Sequence, residues 1–328
     1  MPLKEISKPI EIYLKEFDKF YKNSLRSKVF LLDVVIKYIL RQKGKKIRPL
    51  LVLLSAEACG GVNRRSYIAA SMIELLHTAT LVHDDVVDEA DERRGFPSIN
   101  SVWKNKISVL AGDYILSQGL IIANENDEFG FLKATSRAVK RMSEGELFQI
   151  YKSKSLNIKE EEYFRIISDK TASLISVCCE IGALSSSNDE NIQIAMRDFG
   201  EYVGIIFQIK DDLFDYTSTH KKIGKPIGND ILEKKLTLPV IYALSKATKT
   251  ESKSIIKLIR SLKLNDDSNE EKTKIVTEFV NKFGGVDYSI KIANEYRLKA
   301  LNALSILPDN QSKNSLILFV DFALNRDS

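Results

Sequence analysis

Fifteen glycines and seven prolines in 328 residues leave this chain short of both, since the two together usually make up about 12% of a sequence. A turn-rich all-β fold or an extended disordered tract needs more of each. Cysteine is scarcer still. Cys59, Cys178 and Cys179 form an odd set with no framework spacing, and adjacent cysteines do not suit a metal site. They read as small core residues in a reduced, cytoplasmic setting. The N-terminus, Met-Pro-Leu-Lys-Glu-Ile, lacks the cationic segment and apolar run of a secretory signal. The longest uncharged apolar stretches, residues 50–54 and 202–207, fall far short of the roughly 20 residues of a membrane span, so no transmembrane segment is expected. There is no G-x-x-x-x-G-K-[ST] loop, and no G-x-G-x-x-G follows a strand, which removes the usual nucleotide cradles. The formal net charge of +5 is too small to argue for nucleic acid as a partner.

What is present is helical periodicity. Met72, Leu75, Leu76, Ala79, Val82 and Val86 follow three- and four-residue steps, and Phe199, Val203, Ile206, Ile209 and Leu213 do the same. No useful length alternates with period two. The pattern predicts an all-α, single-domain helical bundle over residues 1–328, built from roughly ten to thirteen helices. The central helices are apolar on more than one face, which places them inside the bundle. A polar residue there must be satisfied or functional.

Two aspartate runs lie in such helices: Asp84-Asp85-Val86-Val87-Asp88 and Asp211-Asp212-Leu213-Phe214-Asp215. Positions i and i+4 of a helix differ by only about 40°, so Asp84 shares a face with Asp88 and Asp211 with Asp215. Like charges this close repel. Hard cations between the carboxylates remove the conflict, and one-sided oxygen ligation suits Mg²⁺ that keeps waters and bridges to phosphate. A solvated acidic helix end explains either run alone but poorly explains both. Basic residues beside turn formers supply the other half of a polyphosphate site. They are Gly44-Lys45-Lys46-Ile47-Arg48-Pro49, Arg93-Arg94-Gly95, Lys170-Thr171, Gly224-Lys225-Pro226 and Lys234-Lys235. With an apolar helical interior, the substrate indicated is a greasy diphosphate rather than a nucleotide.

These segments resemble the trans-isoprenyl (polyprenyl) diphosphate synthases over nearly the whole chain. The resemblance rests on Gly44–Pro49, on Glu74-Leu75-Leu76-His77 leading into the first aspartate run, and on Arg93-Arg94-Gly95, Gly112-Asp113 and Glu144-Gly145-Glu146. It continues through Lys170-Thr171-Ala172, Gln208 before the second run, and Gly224-Lys225 through Lys235-Leu236-Thr237-Leu238-Pro239. It implies an isoprenoid synthase fold around a deep apolar cavity, normally a homodimer. It further implies that Asp84, Asp88, Asp211 and Asp215, with Asp85 and Asp212, hold about three Mg²⁺ ions on an allylic diphosphate. Arg93, Lys170, Lys225 and Lys235 would contact that diphosphate. Lys45, Arg48, His77 and Arg94 would hold isopentenyl diphosphate, and Thr171 and Gln208 would support the cation-forming end. Two departures are visible: Lys43-Gly44-Lys45 where the family shows Gly-Gly-Lys, and Lys234-Lys235 where it shows Gly-Lys. The second leaves open which lysine reaches phosphate.

Short-chain members carry a bulky aromatic four or five residues before the first aspartate. Here the positions hold Thr80 and Ala79, and with Thr80 one turn below Asp84 the expected product is medium-to-long, roughly six to eight isoprene units. Such a product serves as a quinone side chain and is delivered to membrane enzymes. The alternatives are a shorter-chain (farnesyl or geranylgeranyl) synthase or the catalytic subunit of a heteromeric one. Met72, Ile73 and Leu76 are candidates for deeper cavity wall. His83-Asp84 also matches the metal pair of an all-α phosphohydrolase, but few further histidines exist to complete it. Glu74-Leu75-Leu76-His77 matches one half of a di-iron bundle motif, and no second half is present.

Overall fold

The computed structural model describes residues 2–42, 44–93, 95–217, 229–262 and 269–326. Its α-helices are α1 (Pro2–Ile6), α2 (Glu11–Ser24), α3 (Phe30–Arg41), α4 (Ile47–Cys59), α5 (Arg64–Val87), α6 (Ile99–Asn124), α7 (Phe129–Ser155) and α8 (Glu160–Ile167). They continue as α9 (Ser173–Ser186), α10 (Glu190–Thr217), α11 (Asn229–Leu232), α12 (Leu238–Lys246), α13 (Lys249–Ser261), α14 (Asn269–Lys282), α15 (Gly285–Ala303) and α16 (Gln311–Asn325). This slightly exceeds the expected number, because single-turn pieces such as α1 and α11 leave no periodic trace. The only sheet among the described residues is a two-residue antiparallel ribbon, β1 (Glu92–Arg93) with β2 (Phe96–Pro97). The chain groups into two compact units.

The first unit comprises Met1–Arg137, Val177–Arg197 and Ser305–Leu316. Its central helix is α5. Asn63 caps the start: its side chain accepts from the Arg65 and Ser66 backbone N–H groups, and the Ser66 hydroxyl accepts from the Asn63 N–H, a reciprocal capping box. Thirteen of the 24 residues of α5 are buried, so the helix is enclosed on most sides, as its apolar sequence predicts. It ends in a Schellman turn. Asp88 is the C-cap, Glu89 takes the left-handed conformation (φ 49°) and the Ala90 N–H reaches the Asp85 carbonyl at 3.1 Å. α6 packs along α5 through Ser108, Ala111, Gly112, Ile115, Gly119 and Ala123. A Cβ at Gly112 would stand 2.2 Å from His83 Nε2, so a side chain there would displace the imidazole from its present position. Alone among the described helices, α6 is long and apolar enough to cross a membrane by length and composition, a property shared by core helices of globular proteins. Cys178 and Cys179 are fully buried and Cys59 half-buried, and burial pushes the thiols of Cys59 and Cys179 up to about 12. Cys178 and Cys179 are core residues, as expected, while Cys59 lies at the edge of the core.

The second unit comprises Ala138–Ser176, Asp198–Leu304 and Ile317–Ser328. Its core joins Ile205, Ile209 and Leu213 of α10 to Leu238 and Val240 of α12, Val276 and Val280 of α14 and Ala293 of α15. Between α8 and α9 the chain makes one π-helical turn, Ser168–Ala172. π turns break the regular ladder and frequently mark functional positions.

Candidate active site

In the first unit the aspartate run occupies the C-terminal end of α5, where the last turn carries no basic residue. A helix C-terminus already bears about half a negative charge. Three carboxylates there raise a local demand for cations that the helix does not meet. Asp84 and Asp88 are exposed and Asp85 is buried. The β1–β2 ribbon, turned at Gly95 (φ 76°), returns Arg93 so that its Nε donates to Asp85 Oδ1. Arg94 and Lys43 lie outside the described residues.

Lys46 is left-handed (φ 47°) at the start of α4 and its ammonium is paired with Asp18. Lys45 is exposed, Arg48 is half-buried in the first turn of α4, and His77 is buried on α5. A cavity of about 310 Å³ brings Lys46, Glu74, Asp85 and Arg93 together, with Tyr21, Gln42 and Thr78 in its wall. Lys45, Arg48 and His77 are not among its lining residues. Lys46, adjacent to the expected Lys45, was missed because two consecutive lysines look alike in sequence. Ala79 is buried, and Thr80 is partly exposed with its hydroxyl donating to the His77 carbonyl at 2.9 Å. His83 Nε2 stands 3.4 Å from Asp113 Oδ1. Among the described residues no group of three or more His, Cys, Asp and Glu side chains is gathered for a metal.

In the second unit, part of the sequence-predicted set lines one cavity of about 120 Å³, and Asp211 and Asp215 are not among its lining residues. Lys170, Thr171, Gln208, Asp212, Lys234 and Lys235 all line it. A chain of hydrogen bonds runs through it. The Thr171 hydroxyl donates to Gln208 Oε1 (3.0 Å), Gln208 Nε2 donates to Asp212 Oδ1 (2.8 Å), and the Tyr163 hydroxyl donates to Asp212 Oδ2 (2.7 Å). Burial, with Asp230 and Asp215 nearby, pushes the Asp212 carboxyl up to about 7 against the pull of Tyr163 and Gln208. Lys170 Nζ lies 2.5 Å from Glu146 Oε2 and 2.8 Å from Gln149 Oε1.

Asp215 Oδ2 accepts from the Asp230 backbone N–H at 2.6 Å. Exposed Asp211 accepts from Arg326, whose guanidinium also lies 3.4 Å over the Phe207 ring. Lys234 is left-handed (φ 59°), and the Lys235 ammonium is paired with Glu233. Lys225, Gly224 and His220 lie outside the described residues. Tyr163 and Asp230 went unassigned from sequence. Tyr163 sits in an ordinary amphipathic helix, and nothing in its spacing sets it apart.

The donor set fits Mg²⁺. Within each unit by itself the donors are oxygens only, Asp84 with Asp88 in the first and Asp211 with Asp215 in the second are spaced one turn apart, and neither α5 nor α10 has a basic residue in its last turn. Such one-sided carboxylate sites leave positions for water and for substrate phosphate. All-α architecture, two acidic helix ends and a lysine-lined cavity define a metal-assisted diphosphate-processing enzyme.

Comparison with known proteins narrows that class. A model of the polyprenyl synthetase family matches residues 30–279. The chain is 36% identical over 323 residues to the all-trans-nonaprenyl-diphosphate synthase (geranyl-diphosphate specific) of Rhodobacter capsulatus, covering 98% of this chain and 97% of that one. It is also 36% identical to heptaprenyl diphosphate synthase component 2 of Bacillus subtilis, covering 90% of this chain and 82% of the relative. The fold is similar to the crystal structure of a polyprenyl synthase from Caulobacter crescentus complexed with calcium and isoprenyl diphosphate, with a TM-score of 0.86, 29% identity, and coverage of 99% of this chain and 98% of that one. The chain belongs to the polyprenyl synthetase family and is a prenyltransferase of the polyprenyl diphosphate synthase type.

Proposed function

We propose that residues 1–328 act as one synthase domain. It joins isopentenyl diphosphate units head-to-tail to an allylic diphosphate, giving an all-trans chain of roughly six to eight units, since small residues stand one turn below the first aspartate. The observation that carries the reading is the cavity where Lys170, Thr171, Gln208, Asp212 and Lys235, up to 65 positions apart in sequence, line one space. Asp84, Asp88, Asp211 and Asp215, with Asp85 and Asp212 beside them, would hold Mg²⁺, which when bound would supply charge neutralisation for the departing diphosphate.

The protein's own groups do the rest. Lys170 and Lys235, with Lys225 and Arg93, bind the allylic diphosphate and stabilise the negative charge that grows as its C–O bond breaks. Thr171 and Gln208 present oxygens to the allylic cation. Lys45, Arg48, His77 and Arg94 hold isopentenyl diphosphate so that its alkene attacks that cation. A new C–C bond forms, and the proton lost passes to the released diphosphate. Apolar helices keep water, which would quench the cation, away.

The exposed apolar residues of α6, including Val109, Leu110, Leu120 and Ile121, suit pairing with a second copy of the chain, and three cysteines held as thiols rather than disulfides suit the cytoplasm. The product then passes to membrane enzymes that build quinone side chains. The relative named as a synthase component supports a second reading, that of a catalytic subunit needing a partner.

The deciding experiment incubates the purified chain with labelled isopentenyl diphosphate, Mg²⁺ and short allylic primers, and sizes the products by chromatography. Chain growth by the chain alone is expected. Growth only after adding a partner selects the heteromeric reading, and no growth under either condition sinks both. Ala79→Phe is expected to shorten the product. An unchanged product length would rule out Ala79 as part of the cavity floor.

A further inference from the structure

The π turn Ser168–Ala172 carries both Lys170 and Thr171, and two helices grip it through evenly spaced side chains. On α7 the grip runs along positions 141, 145 and 149, one face of a helix. Arg141 Nε donates to Asp169 Oδ1 at 2.8 Å and its Nη2 to Ser168 Oγ at 2.6 Å. Gly145 lets the helix backbone approach the turn, since a Cβ there would stand 2.9 Å from Asp169 Cβ and 3.0 Å from the Lys170 nitrogen. Gln149 accepts from Lys170 Nζ.

On α10 the grip runs along positions 201, 204 and 208. Glu201 accepts from Arg141 Nη1 at 3.2 Å, from Arg141 Nη2 at 2.7 Å and from the Ser168 hydroxyl. A Cβ at Gly204 would stand 2.4 Å from Ala172 Cα, so this helix too meets the turn backbone to backbone. Gln208 accepts from Thr171. The Arg141 guanidinium therefore ties both neighbours preceding Lys170 to α10. Asp169 and Glu201 are largely buried around it, with side chains 17% and 19% exposed. A planar fork that satisfies three acceptors in fixed directions holds them in a way a flexible ammonium cannot.

We propose that Arg141, with Glu201, is a positioning residue. It fixes the register of the π turn and so aims Lys170 at the allylic diphosphate and Thr171 at Gln208. The proposal rests on the reading of Lys170 as a diphosphate ligand. Arg141, Glu201, Ser168 and Asp169 do not line the cavity; the effect passes through the backbone of the turn, where a displacement of about 1 Å can cost a factor of about 100.

The test compares Arg141→Gln, Arg141→Lys, Glu201→Gln and Ser168→Ala with Lys170→Ala. Steady-state kinetics is measured separately for each substrate, and helix content and melting temperature are recorded. Arg141→Gln is expected to lower kcat/KM for the allylic diphosphate by about 10- to 100-fold while KM for isopentenyl diphosphate stays within about twofold. Arg141→Lys should recover part of the loss, because one ammonium meets one or two of the three acceptors. Glu201→Gln and Ser168→Ala, milder variants that keep the fold if Arg141→Gln does not, should show the same allylic-only effect at a few-fold.

Equal rises in both KM values would mean general loosening and overturn the proposal. Folded clamp variants with unchanged allylic kinetics would overturn it while Lys170→Ala still shows a loss. No loss with Lys170→Ala would remove the role of Lys170, and the clamp with it.

Discussion

The two aspartate runs share the same aspartate spacing and similar helical placement, yet the second aspartate of each is balanced by different chemistry. Asp85 and Asp212 are each 3% exposed. Asp85 is answered by a full positive charge, Arg93, delivered by a two-residue ribbon. Asp212 is answered by two neutral donors, Tyr163 and Gln208, with Asp230 and Asp215 adding negative charge nearby. A buried carboxylate facing a cation is a closed pair. One facing neutral donors among other acids is held toward its protonated form and gains most from an arriving cation. The repeated motif thus encodes one balanced and one waiting carboxylate.

The largest expected effect breaks both runs alike. Asp84→Ala or Asp211→Ala should lower kcat by about 100- to 1000-fold, the scale seen when one preorganised group facing the developing charge is removed; product formation at saturating substrate measures it. Next comes Arg93→Gln, which leaves Asp85 buried without its counter-charge. A stability loss of about 1–2 kcal/mol in urea unfolding is expected, and an unchanged midpoint would show that Asp85 never needed the pair. Tyr163→Phe, the matching change in the second unit, should cost about 1 kcal/mol in the metal-free protein and less once Mg²⁺ and substrate are added.

The subtlest test uses pH. With its folded carboxyl raised to about 7 from an ordinary 3.8, Asp212 binds its proton more tightly in the folded state. Stability of the metal-free protein therefore falls as pH rises from about 4 to 7, and the penalty is constant above that range. Asp212→Asn should accordingly be the more stable protein at pH 8.5 in the presence of a chelator and lose that advantage by pH 4. A constant difference across the range would deny the raised carboxyl.

Much of the site is legible in the order of the residues. The helical period of residues 68–86 and 199–213 announces enclosed helices, and carboxylates spaced by four within them announce cations. Lys170 and Lys235 stand out as basic groups that accompany such runs, while Gln208 and the role of Thr171 are legible only through the family resemblance. Tyr163, Lys46, Asp230 and the Arg141–Asp169–Glu201 cluster do not. Each is an ordinary residue in an ordinary amphipathic context, and its importance arises from a partner tens of residues away.

The helical class, the two acidic helix ends and the chemistry they call for follow from local quantities. Periodicity and spacing within one helix are set by 3.6 residues per turn, whatever the rest of the chain does. Folding alone settles which acid of each run is buried, whether its answer is a guanidinium or a phenol, and how the π turn is held. Those outcomes depend on which side chains distant segments bring into the same few ångströms, and on how burial there reweights charge against hydrogen bonding.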